Sequence, residues 1–357
     1  MDRYGERNKM LAYVYNSDRN FVLKDVPYPR PKIDSIVIKV NICSICGTDF
    51  RTYIYGNKKI TPPRVVGHEV CGTIDKVGKN IKGFYTGDRV AVAPAIGCGE
   101  CYMCVKGYTN MCSNLKTIGF QYDGGFAEYM EIPGSAFKMG NVYKLSNLIE
   151  DQEAALVEPI ACVINAQEFL KIKKGDYVAI FGSGFIGCIH AELAFVKGAE
   201  KVIIIEMVKN RADVALKLLK PVGEIQMINP INDNTVEEMR KLTGGRGIDV
   251  AITACSSGKA QEDAIKISAK RGRISLFGGI VGEARGFIDS NEVHYKELSV
   301  YGAHASTPLQ NKTAIEWISN RNLKVKKYIS RIYPLNNIVE AFEAIKNENI
   351  MKAIIKT

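Results

Sequence analysis

The architecture of the chain is set by YVAIFGSGFIGCIHAELAFVKGAEKVIIIE, residues 177–206. Its first part, YVAIFG (177–182), is a run of strand-forming residues, and FIGCIHAELAFVKG (185–198) has the pattern of a helix. KVIIIE (201–206) then has the composition of a second buried strand. A strand, a helix and another strand in this order predict a βαβ unit with parallel strands.

The same alternation extends in both directions along the chain. Upstream, DQEAALVEPIACVINAQEFLKI (151–172) predicts a helix with Asp151 as its N-cap. Further helix and strand patterns follow downstream: NRADVALKLLK (210–220), IDVAITA (248–254) and GRISLFGG (272–279). This alternation predicts an α/β domain built on a doubly wound parallel sheet. The strand LSVYGAH (298–304) and two later helices are expected to leave that sheet.

The amino-terminal part of the chain has a different pattern. Short β-type runs separated by Gly, Pro and Asp turns fill residues 10–150: MLAYVY (10–15), SIVIKVNIC (35–43), EVCGTIDKVG (69–78), DRVAVAPA (88–95) and FAEYMEIP (126–133). Such spacing is typical of a barrel-like β domain. We therefore expect a discontinuous β domain over 1–155 and 297–357, with the α/β domain inserted over 156–296.

Composition narrows the class of protein. With 46% hydrophobic and 24% charged residues in 357, the chain resembles soluble globular proteins rather than disordered ones. No apolar run reaches the roughly 18–20 residues of a membrane span, and the polar start MDRYGERNKM (1–10) lacks a signal-peptide core. We therefore expect a cytoplasmic protein without a membrane partner.

The net charge of the chain indicates which classes of binding partner to expect. The formal net charge is +10, but no stretch concentrates five or six basic residues, so a nucleic-acid partner is not expected. A solvated lysine-rich surface accounts for the excess. A modest positive field also suits an anionic cofactor or substrate.

The loop Gly182-Ser183-Gly184-Phe185-Ile186-Gly187 matches the pattern GxGxxG between the predicted strand and helix. Gly182 permits the tight turn, Gly184 lets the backbone approach a pyrophosphate, and Gly187 allows close packing of helix on strand. The free N–H groups and the helix dipole would hold the phosphates. The alternative is a glycine-rich turn with a purely structural role.

Glu206 ends the next predicted strand and is placed to accept hydrogen bonds from the adenosine ribose hydroxyls. A carboxylate there repels a 2′-phosphate and favours NAD over NADP. The nearby Lys209 and Arg211 weaken that preference. In the alternative interpretation Glu206 is merely solvated.

Four of the ten cysteines cluster in one glycine-bearing loop, at about 97–113: Cys98, Cys101, Cys104 and Cys112. Four thiolates form the closed tetrahedral shell that holds structural zinc. Gly97, Gly99 and Gly107 would allow the chain reversals that point the sulfurs inward. An iron–sulfur cluster or free thiols are the rival interpretations.

A second set of candidate ligands is dispersed: Cys46 in ICGTD, His68 and Glu69 in GHE, and Glu158 in VEPIAC. Taken singly, each residue type is more often packed or solvated. Together they supply a thiolate, an imidazole and a carboxylate. Three protein ligands and one open position define a catalytic zinc site.

Taken together, these motifs resemble the zinc-dependent medium-chain dehydrogenase/reductase family. The matching segments are ICGTD (45–49), GHE (67–69), the four-cysteine lobe, DGGFAEY (123–129), VEP (157–159) and the glycine loop (182–187). The VEP segment, with glutamate in place of a third cysteine ligand, resembles the polyol (sorbitol) and threonine dehydrogenase branch. The resemblance implies a GroES-like β-barrel catalytic domain, a Rossmann NAD-binding domain, and a homotetramer or homodimer.

The resemblance also assigns roles. Cys46 and His68 match zinc ligands, Glu69 and Glu158 match carboxylates that ligate zinc or its water, and Thr48 matches the hydroxyl that passes the substrate proton. The cofactor-binding positions are Gly182, Gly184, Phe185, Ile186, Gly187, Glu206, Arg211, Phe277, Gly278 and Gly279. Two zinc ions per subunit, one catalytic and one structural, and NAD are the implied cofactors.

The implied activity is hydride transfer from a secondary alcohol to NAD, with the alcohol oxygen activated by the catalytic zinc. A polyol, sugar or sugar-phosphate derivative is the expected substrate. The alternatives are L-threonine 3-dehydrogenase and a catalytically inactive nucleotide-binding member.

Two places depart from the family pattern. The segment GAHAS (302–306) lacks the Arg-Tyr pair that sorbitol dehydrogenases carry near this strand, which argues against sorbitol itself as the substrate. Arg51 stands where members commonly carry the histidine that continues the proton path from Thr48. Either water replaces that relay, or Arg51 contacts an anionic substrate, or Arg51 lies outside the site and pairs with an acid.

Overall fold

The computed structural model describes residues 8–17, 19–280, 286–348 and 350–357. Most of the polar start on which the signal-peptide argument rests lies outside the described residues. The strands are β1 (Lys9–Ser17), β2 (Asn20–Pro27), β3 (Ile36–Ser44), β4 (Arg64–Val65), β5 (Glu69–Val77), β6 (Arg89–Val92), β7 (Ala95–Ile96), β8 (Lys116–Thr117), β9 (Tyr129–Ile132), β10 (Val142–Lys144), β11 (Tyr177–Phe181), β12 (Lys201–Ile205), β13 (Ile225–Ile228), β14 (Ile248–Thr253), β15 (Ser268–Leu276), β16 (Ser299–Gly302), β17 (Arg331–Pro334) and β18 (Ala353–Lys356).

The helices complete the element order. They are α1 (Gly47–Tyr55), α2 (Tyr102–Val105), α3 (Gly134–Lys138), α4 (Asp151–Ala154), α5 (Val157–Leu170), α6 (Phe185–Val196), α7 (Lys209–Leu219), α8 (Thr235–Leu242), α9 (Gly258–Ile267), α10 (Ser290–Tyr295), α11 (Pro308–Ser319) and α12 (Ile338–Asn347). Within the described chain, no helix combines the length and the apolar character that crossing a membrane requires.

The chain divides into two compact units. The first comprises Met1–Ala161 and Ala305–Thr357, and the second comprises Cys162–His304. The first unit is therefore built from both ends of the chain, with the second unit inserted between its two segments.

The first unit is a GroES-like β fold around the central strand β3. Strand β3 pairs antiparallel with β5, β9 and β18, in a sheet with the order β10-β6-β5-β3-β18-β17. The apolar residues of β3 are buried because both faces are covered, as at Ile38 and Val40, which are fully buried. The register Ile355↔Cys43 shows how the carboxyl terminus closes the sheet beside β3. This pairing brings residues just before β18 close to the start of α1.

The second unit is a parallel sheet with the order β13-β12-β11-β14-β15-β16. The central strands are continuous apolar runs, and Val178, Ala179 and Ile180 are fully inaccessible to solvent. This burial is what a sheet with helices on both faces requires. The α/β fold class with a doubly wound, Rossmann-type sheet is thus confirmed.

The strand at 298–304 does not leave the parallel sheet, so that prediction is wrong. Strand β16 pairs parallel with β15 through Ile274↔Val300 and forms the sixth strand. The backbone of β16 forms hydrogen bonds with β15 at the edge of the sheet. The chain leaves the second unit only after His304.

The single helix predicted over 151–172 is two helices, α4 and α5, separated by a turn at 155–156. Asp151 is also not the N-cap, because Glu150 precedes the first helical residue. Instead, the Asp151 carboxylate accepts hydrogen bonds from Arg89 Nη2 at 2.6 Å and from Asn41 Nδ2 at 2.8 Å. A carboxylate held by these side chains is not available to cap its own helix.

Candidate active site

Cys46 lies at the amino end of helix α1, just after strand β3. Its Sγ accepts a hydrogen bond from the Thr48 N–H at 3.4 Å, and its own N–H donates to Asp49 Oδ2 at 3.0 Å. This reciprocal capping box fixes Cys46 at the positive end of the helix dipole. The sulfur is therefore held in one place, where it can serve as a metal ligand.

His68 and Glu69 reach the same place from the neighbouring strand. Glu69 begins β5 and pairs with Ser44 at the end of β3, so the strand register places both residues beside Cys46. The Cys46 Sγ, a ring nitrogen of His68 and a carboxylate oxygen of Glu69 all lie within 4.8 Å of one another. Glu69 is fully buried and His68 is 7% exposed. Their role as zinc ligands stays a prediction.

Asp49 lies beside the imidazole of His68 and is not among the residues predicted from the sequence. Its Oδ1 lies 3.3 Å from His68 Nδ1. Burial lowers the pKa of His68, but Asp49 and Cys46 raise it by more, so the pKa of His68 lies well above its usual range. A carboxylate behind a histidine fixes the ring orientation and strengthens the other nitrogen as a ligand. The sequence could have pointed to Asp49, because this residue belongs to the same ICGTD motif as Cys46.

Lys352 is a second residue that sequence reasoning missed. Its Nζ lies 2.6 Å from Glu69 Oε2 and donates to the Ile45 carbonyl at 3.0 Å. Burial lowers the pKa of Lys352, but the charges of Glu69, Cys46 and Glu158 outweigh burial and raise it. The sequence offers no local motif for this contact, which depends on β18 pairing with β3.

One buried oxygen of Glu69 remains available. Within the described residues, Glu69 Oε1 has no hydrogen-bond partner, although Oε2 faces Lys352. A buried carboxylate oxygen without a partner is costly unless it meets a donor or a cation. The thiolate, imidazole and carboxylate donor set therefore fits a zinc ion.

Glu158 is not part of this group of three. It lies in the first turn of α5 and is partly buried. Its negative charge acts on Lys352, which places it in the electrostatic surroundings of the candidate site. Whether it ligates zinc stays a prediction.

Thr48 and Arg51 are in direct contact on α1. Arg51 Nη2 donates to Thr48 Oγ1 at 2.9 Å. Among the described residues Arg51 forms no ion pair with an acid, so the interpretation that it pairs with one outside the site is wrong.

The four-cysteine lobe places its sulfurs as a metal shell requires. Four sulfurs about 2.3 Å from a zinc ion at tetrahedral angles lie about 3.8 Å apart. Cys101 Sγ and Cys112 Sγ are 3.8 Å apart, and all four sulfurs lie within 4.8 Å of one another. Backbone N–H groups also point at sulfur, as at Cys98 N to Cys112 Sγ, 3.2 Å.

Glycines shape this lobe in two ways. Gly99 and Gly107 have positive φ angles of 84° and 86°, where a side chain would be strained. Gly97 is needed for space, because a Cβ there would lie 2.8 Å from Cys104 Sγ. Backbone N–H groups of Cys104 and Ser113 lower the pKa of Cys101 to about 5, which favours the thiolate.

In the second unit, the glycine loop joins β11 to α6 in the geometry that the motif predicts. Gly182 has a φ of 101°, and a Cβ on Gly187 would lie 1.9 Å from the Gly182 carbonyl oxygen. A Cβ on Gly184 would meet nothing within 4 Å, so the loop is open where a phosphate would approach. Gly184 is the N-cap of α6 and makes no side-chain capping hydrogen bond, so the amino end of the helix begins directly at the loop.

Glu206 follows β12 and is held by the glycine loop itself. Its Oε2 accepts from the Ser183 N–H and hydroxyl, both at 2.9 Å, and its Oε1 accepts from the Val208 N–H at 2.9 Å. The residue is 5% exposed, so Glu206 is not simply solvated. Ser183 is a partner of Glu206 that the sequence motif alone does not reveal.

The remaining cofactor candidates follow β15 or lie on α6 and α7. Phe277, Gly278 and Gly279 follow β15, and the Gly278 N–H donates to the Thr253 carbonyl at 2.7 Å. Ile186 and Arg211 are partly buried on α6 and α7. The loop, Glu206 and the segment after β15 all lie at the carboxyl ends of parallel strands, where open α/β sheets bind ligands.

Comparison with known proteins agrees with both units. A family model described as alcohol dehydrogenase GroES-like domain matches residues 32–140, and one described as zinc-binding dehydrogenase matches residues 186–320. An L-threonine 3-dehydrogenase of Pyrococcus abyssi is 35% identical over 284 residues, 78% of each chain. The chain belongs to the zinc-dependent medium-chain dehydrogenase/reductase family.

This dehydrogenase also matches relatives along nearly its whole length. A sorbitol dehydrogenase of Halalkalibacterium halodurans is 29% identical, covering 97% of this chain and 98% of its own. A zinc-binding dehydrogenase from Sinorhizobium meliloti, solved with NADP bound, superposes with a TM-score of 0.90 at 27% identity. That match covers 98% of this chain and 100% of the other. The protein is an oxidoreductase that acts on CH–OH donors with zinc and a nicotinamide cofactor.

Proposed function

We propose that this dehydrogenase oxidises a secondary alcohol on a polyol, sugar or sugar-phosphate derivative, with NAD as the hydride acceptor. The observation that carries the proposal is that ligand atoms of Cys46, His68 and Glu69 lie within 4.8 Å of one another, at the start of the helix that bears Thr48. The relative named sorbitol dehydrogenase supports a polyol substrate.

In this proposal Cys46, His68 and Glu69 hold the catalytic zinc, and Glu158 exchanges with Glu69 or holds the zinc's water. Zinc, when bound, supplies the Lewis acidity that lowers the pKa of an alcohol. The chain holds the ligands ready: Asp49 lies 3.3 Å from His68 and Lys352 lies 2.6 Å from Glu69. Cys98, Cys101, Cys104 and Cys112 hold a separate structural zinc.

Thr48 passes the substrate proton in this scheme. Its Oγ1 accepts a hydrogen bond from Arg51, so its own hydrogen is directed to another acceptor. Arg51 has no acceptor atom and cannot take that proton onward. The proton therefore leaves Thr48 to water rather than through a side chain at position 51.

For the cofactor, we propose NAD rather than NADP, with Gly184 approaching the pyrophosphate and Glu206 accepting from the adenosine ribose. Because Ser183 fixes Glu206 through two hydrogen bonds of 2.9 Å, the carboxylate is rigid and repels a 2′-phosphate. Replacing Glu206 with alanine is expected to reduce the kcat/KM preference for NAD over NADP by about tenfold or more. An unchanged preference would count against this assignment.

We further propose that the first unit, Met1–Ala161 with Ala305–Thr357, is the catalytic domain and the second unit, Cys162–His304, is the NAD-binding domain, in a cytoplasmic homotetramer or homodimer. Light scattering coupled to size-exclusion chromatography tests the assembly, and a monomer at micromolar concentration would contradict it.

The test of the activity is a substrate panel assayed by the absorbance of the reduced nicotinamide. Polyols and sugar alcohols, their phosphates and L-threonine are offered separately with NAD and with NADP. Turnover of a polyol derivative that stops on zinc chelation and returns on zinc addition supports the proposal. Oxidation of L-threonine alone would favour the alternative function, L-threonine 3-dehydrogenase, which the relative of that name from Pyrococcus abyssi supports. Turnover that persists without zinc would refute both.

A further inference from the structure

Arg51 folds back over the first turn of α1, toward the candidate zinc ligand Cys46. Its Nη2 lies 2.9 Å from Thr48 Oγ1, and a Cβ placed on Gly47 would lie 3.6 Å from its Nη1. The guanidinium therefore lies against the Gly47–Thr48 backbone. The absence of a side chain at Gly47 leaves room for it.

The charge of Arg51 is not compensated by the described protein. The acid on the same turn, Asp49, accepts from the Cys46 N–H and faces His68. The nearby carboxylate of Glu69 pairs with Lys352, whose Nζ lies 2.6 Å from Glu69 Oε2. No described carboxylate pairs with the guanidinium, which is partly buried at the positive end of a helix dipole. A cation in that position is stabilised when an anion approaches it.

We propose that Arg51 binds an anionic group of the substrate, a carboxylate or a phosphate, beside the reacting alcohol. This inference rests on the proposed function, because Thr48 is the residue that meets the alcohol oxygen there. One of the five guanidinium N–H groups is used by Thr48, and the others can hold a carboxylate or phosphate bidentately. Since Arg51 touches Thr48, the anionic group lies within a few bonds of the alcohol carbon.

The substrate is a better source of this anion than the cofactor. The pyrophosphate of NAD already has donors at the glycine loop, where Gly184 leaves the backbone open. Thr48, in contrast, is the group proposed to contact the alcohol. Binding of the cofactor pyrophosphate by Arg51 is the competing outcome of the test.

The first experiment measures anion binding without turnover. Inorganic phosphate is titrated by calorimetry into the zinc-loaded wild type and the variants Arg51→Gln, Arg51→Lys and Lys58→Gln. Lys58 is an exposed cation just beyond α1 and serves as the matched control for loss of one positive charge. We expect Arg51→Gln to weaken phosphate binding at least about tenfold, Arg51→Lys to weaken it less, and Lys58→Gln to leave it within about twofold.

The outcomes of the titration are distinct. Phosphate that binds Arg51→Gln as tightly as wild type, or that does not bind the wild type, overturns the proposal. A parallel titration with NAD separates the two sources of anion. If Arg51→Gln weakens NAD binding as much as phosphate binding, the anion belongs to the cofactor and the proposal is wrong.

The second experiment compares matched substrates, each neutral alditol with its monophosphate and with its aldonate, beginning with sorbitol and sorbitol 6-phosphate. We expect the wild type to prefer an anionic member and Arg51→Gln to lose at least about tenfold of that preference in kcat/KM. Equal loss on neutral and anionic members would mean that Arg51 only positions Thr48, which overturns the proposal. If no alcohol is oxidised, the proposed function fails, whereas the phosphate titration still decides whether Arg51 binds anions.

Discussion

The buried pair of Lys352 and Glu69 makes a quantitative prediction about stability. The two side chains are 6% and 1% exposed, and Nζ lies 2.6 Å from Oε2. At an effective dielectric of about 20, Coulomb attraction at this distance is about 6 kcal/mol, an upper limit because burial of both charges opposes it. Replacing Lys352 with methionine keeps the apolar stem and leaves Glu69 buried without its cation. We expect the free energy of unfolding to fall by about 3–5 kcal/mol.

The assay is urea unfolding with zinc content and protein concentration matched between variants. Lys346→Met is the control, since Lys346 is 54% exposed and lies 3.9 Å from Glu343. We expect that control to cost no more than about 0.5 kcal/mol. A loss below about 1 kcal/mol for Lys352→Met would refute the view that Lys352 holds the buried carboxylate.

The pH dependence of this loss has a definite sign. The pKa of Lys352 is raised in the folded protein, so its contribution is fully present below the unfolded value of about 10.4. It is lost only as pH rises through the folded pKa. The penalty of Lys352→Met should therefore not decline between about pH 6 and pH 9. A penalty that declines between these values would contradict the pairing.

Two further predictions concern neighbouring parts of the fold. Gly187→Ala places a Cβ 1.9 Å from the Gly182 carbonyl oxygen and should prevent folding of the second unit or lower its melting temperature steeply. In Gly184→Ala the added Cβ meets nothing within 4 Å, so this variant should melt like wild type. It should nevertheless bind NAD at least about tenfold more weakly, because the methyl group stands where the pyrophosphate approaches the backbone. Circular dichroism and NAD titration check this pair, and equal behaviour of the two variants would contradict it. Asp49→Asn removes the carboxylate beside His68 and should weaken zinc binding at the catalytic site by about 10–100-fold, measured by competition with a chelator; unchanged affinity would show that Asp49 does not support the imidazole.

The fold class could be predicted because the decisive patterns are local. YVAIFGSGFIG contains a strand, a turn and a helix start within one segment, and the structure forms them as β11 and α6. Where the prediction was wrong, a longer-range contact decided the outcome. Strand β16 stays in the parallel sheet because it pairs with β15, and strand-forming residues alone do not specify the partner. Likewise, Arg89 and Asn41 hold Asp151 away from the helix cap, from positions far earlier in the chain.

The candidate site divides in the same way. Cys46, His68 and Glu69 were identifiable because their residue types are those that bind zinc and each lies in a short motif. Lys352 was not, because its position next to Glu69 exists only after β18 joins β3. The hydrogen bond between Arg51 and Thr48 could not be predicted from the sequence either. The helix spacing permits this contact but does not fix the direction of the Arg51 side chain.

The zinc content per subunit distinguishes a protein with a catalytic zinc from one whose only zinc lies in the four-cysteine lobe. Wild type, Cys46→Ser and Cys104→Ser are remetallated, freed of loose metal and measured by inductively coupled plasma mass spectrometry. We expect about two zinc ions in the wild type and about one in each variant, because the two sites are separate. One ion in the wild type that survives Cys46→Ser but not Cys104→Ser would place all the zinc in the four-cysteine lobe and contradict a catalytic zinc at Cys46, His68 and Glu69.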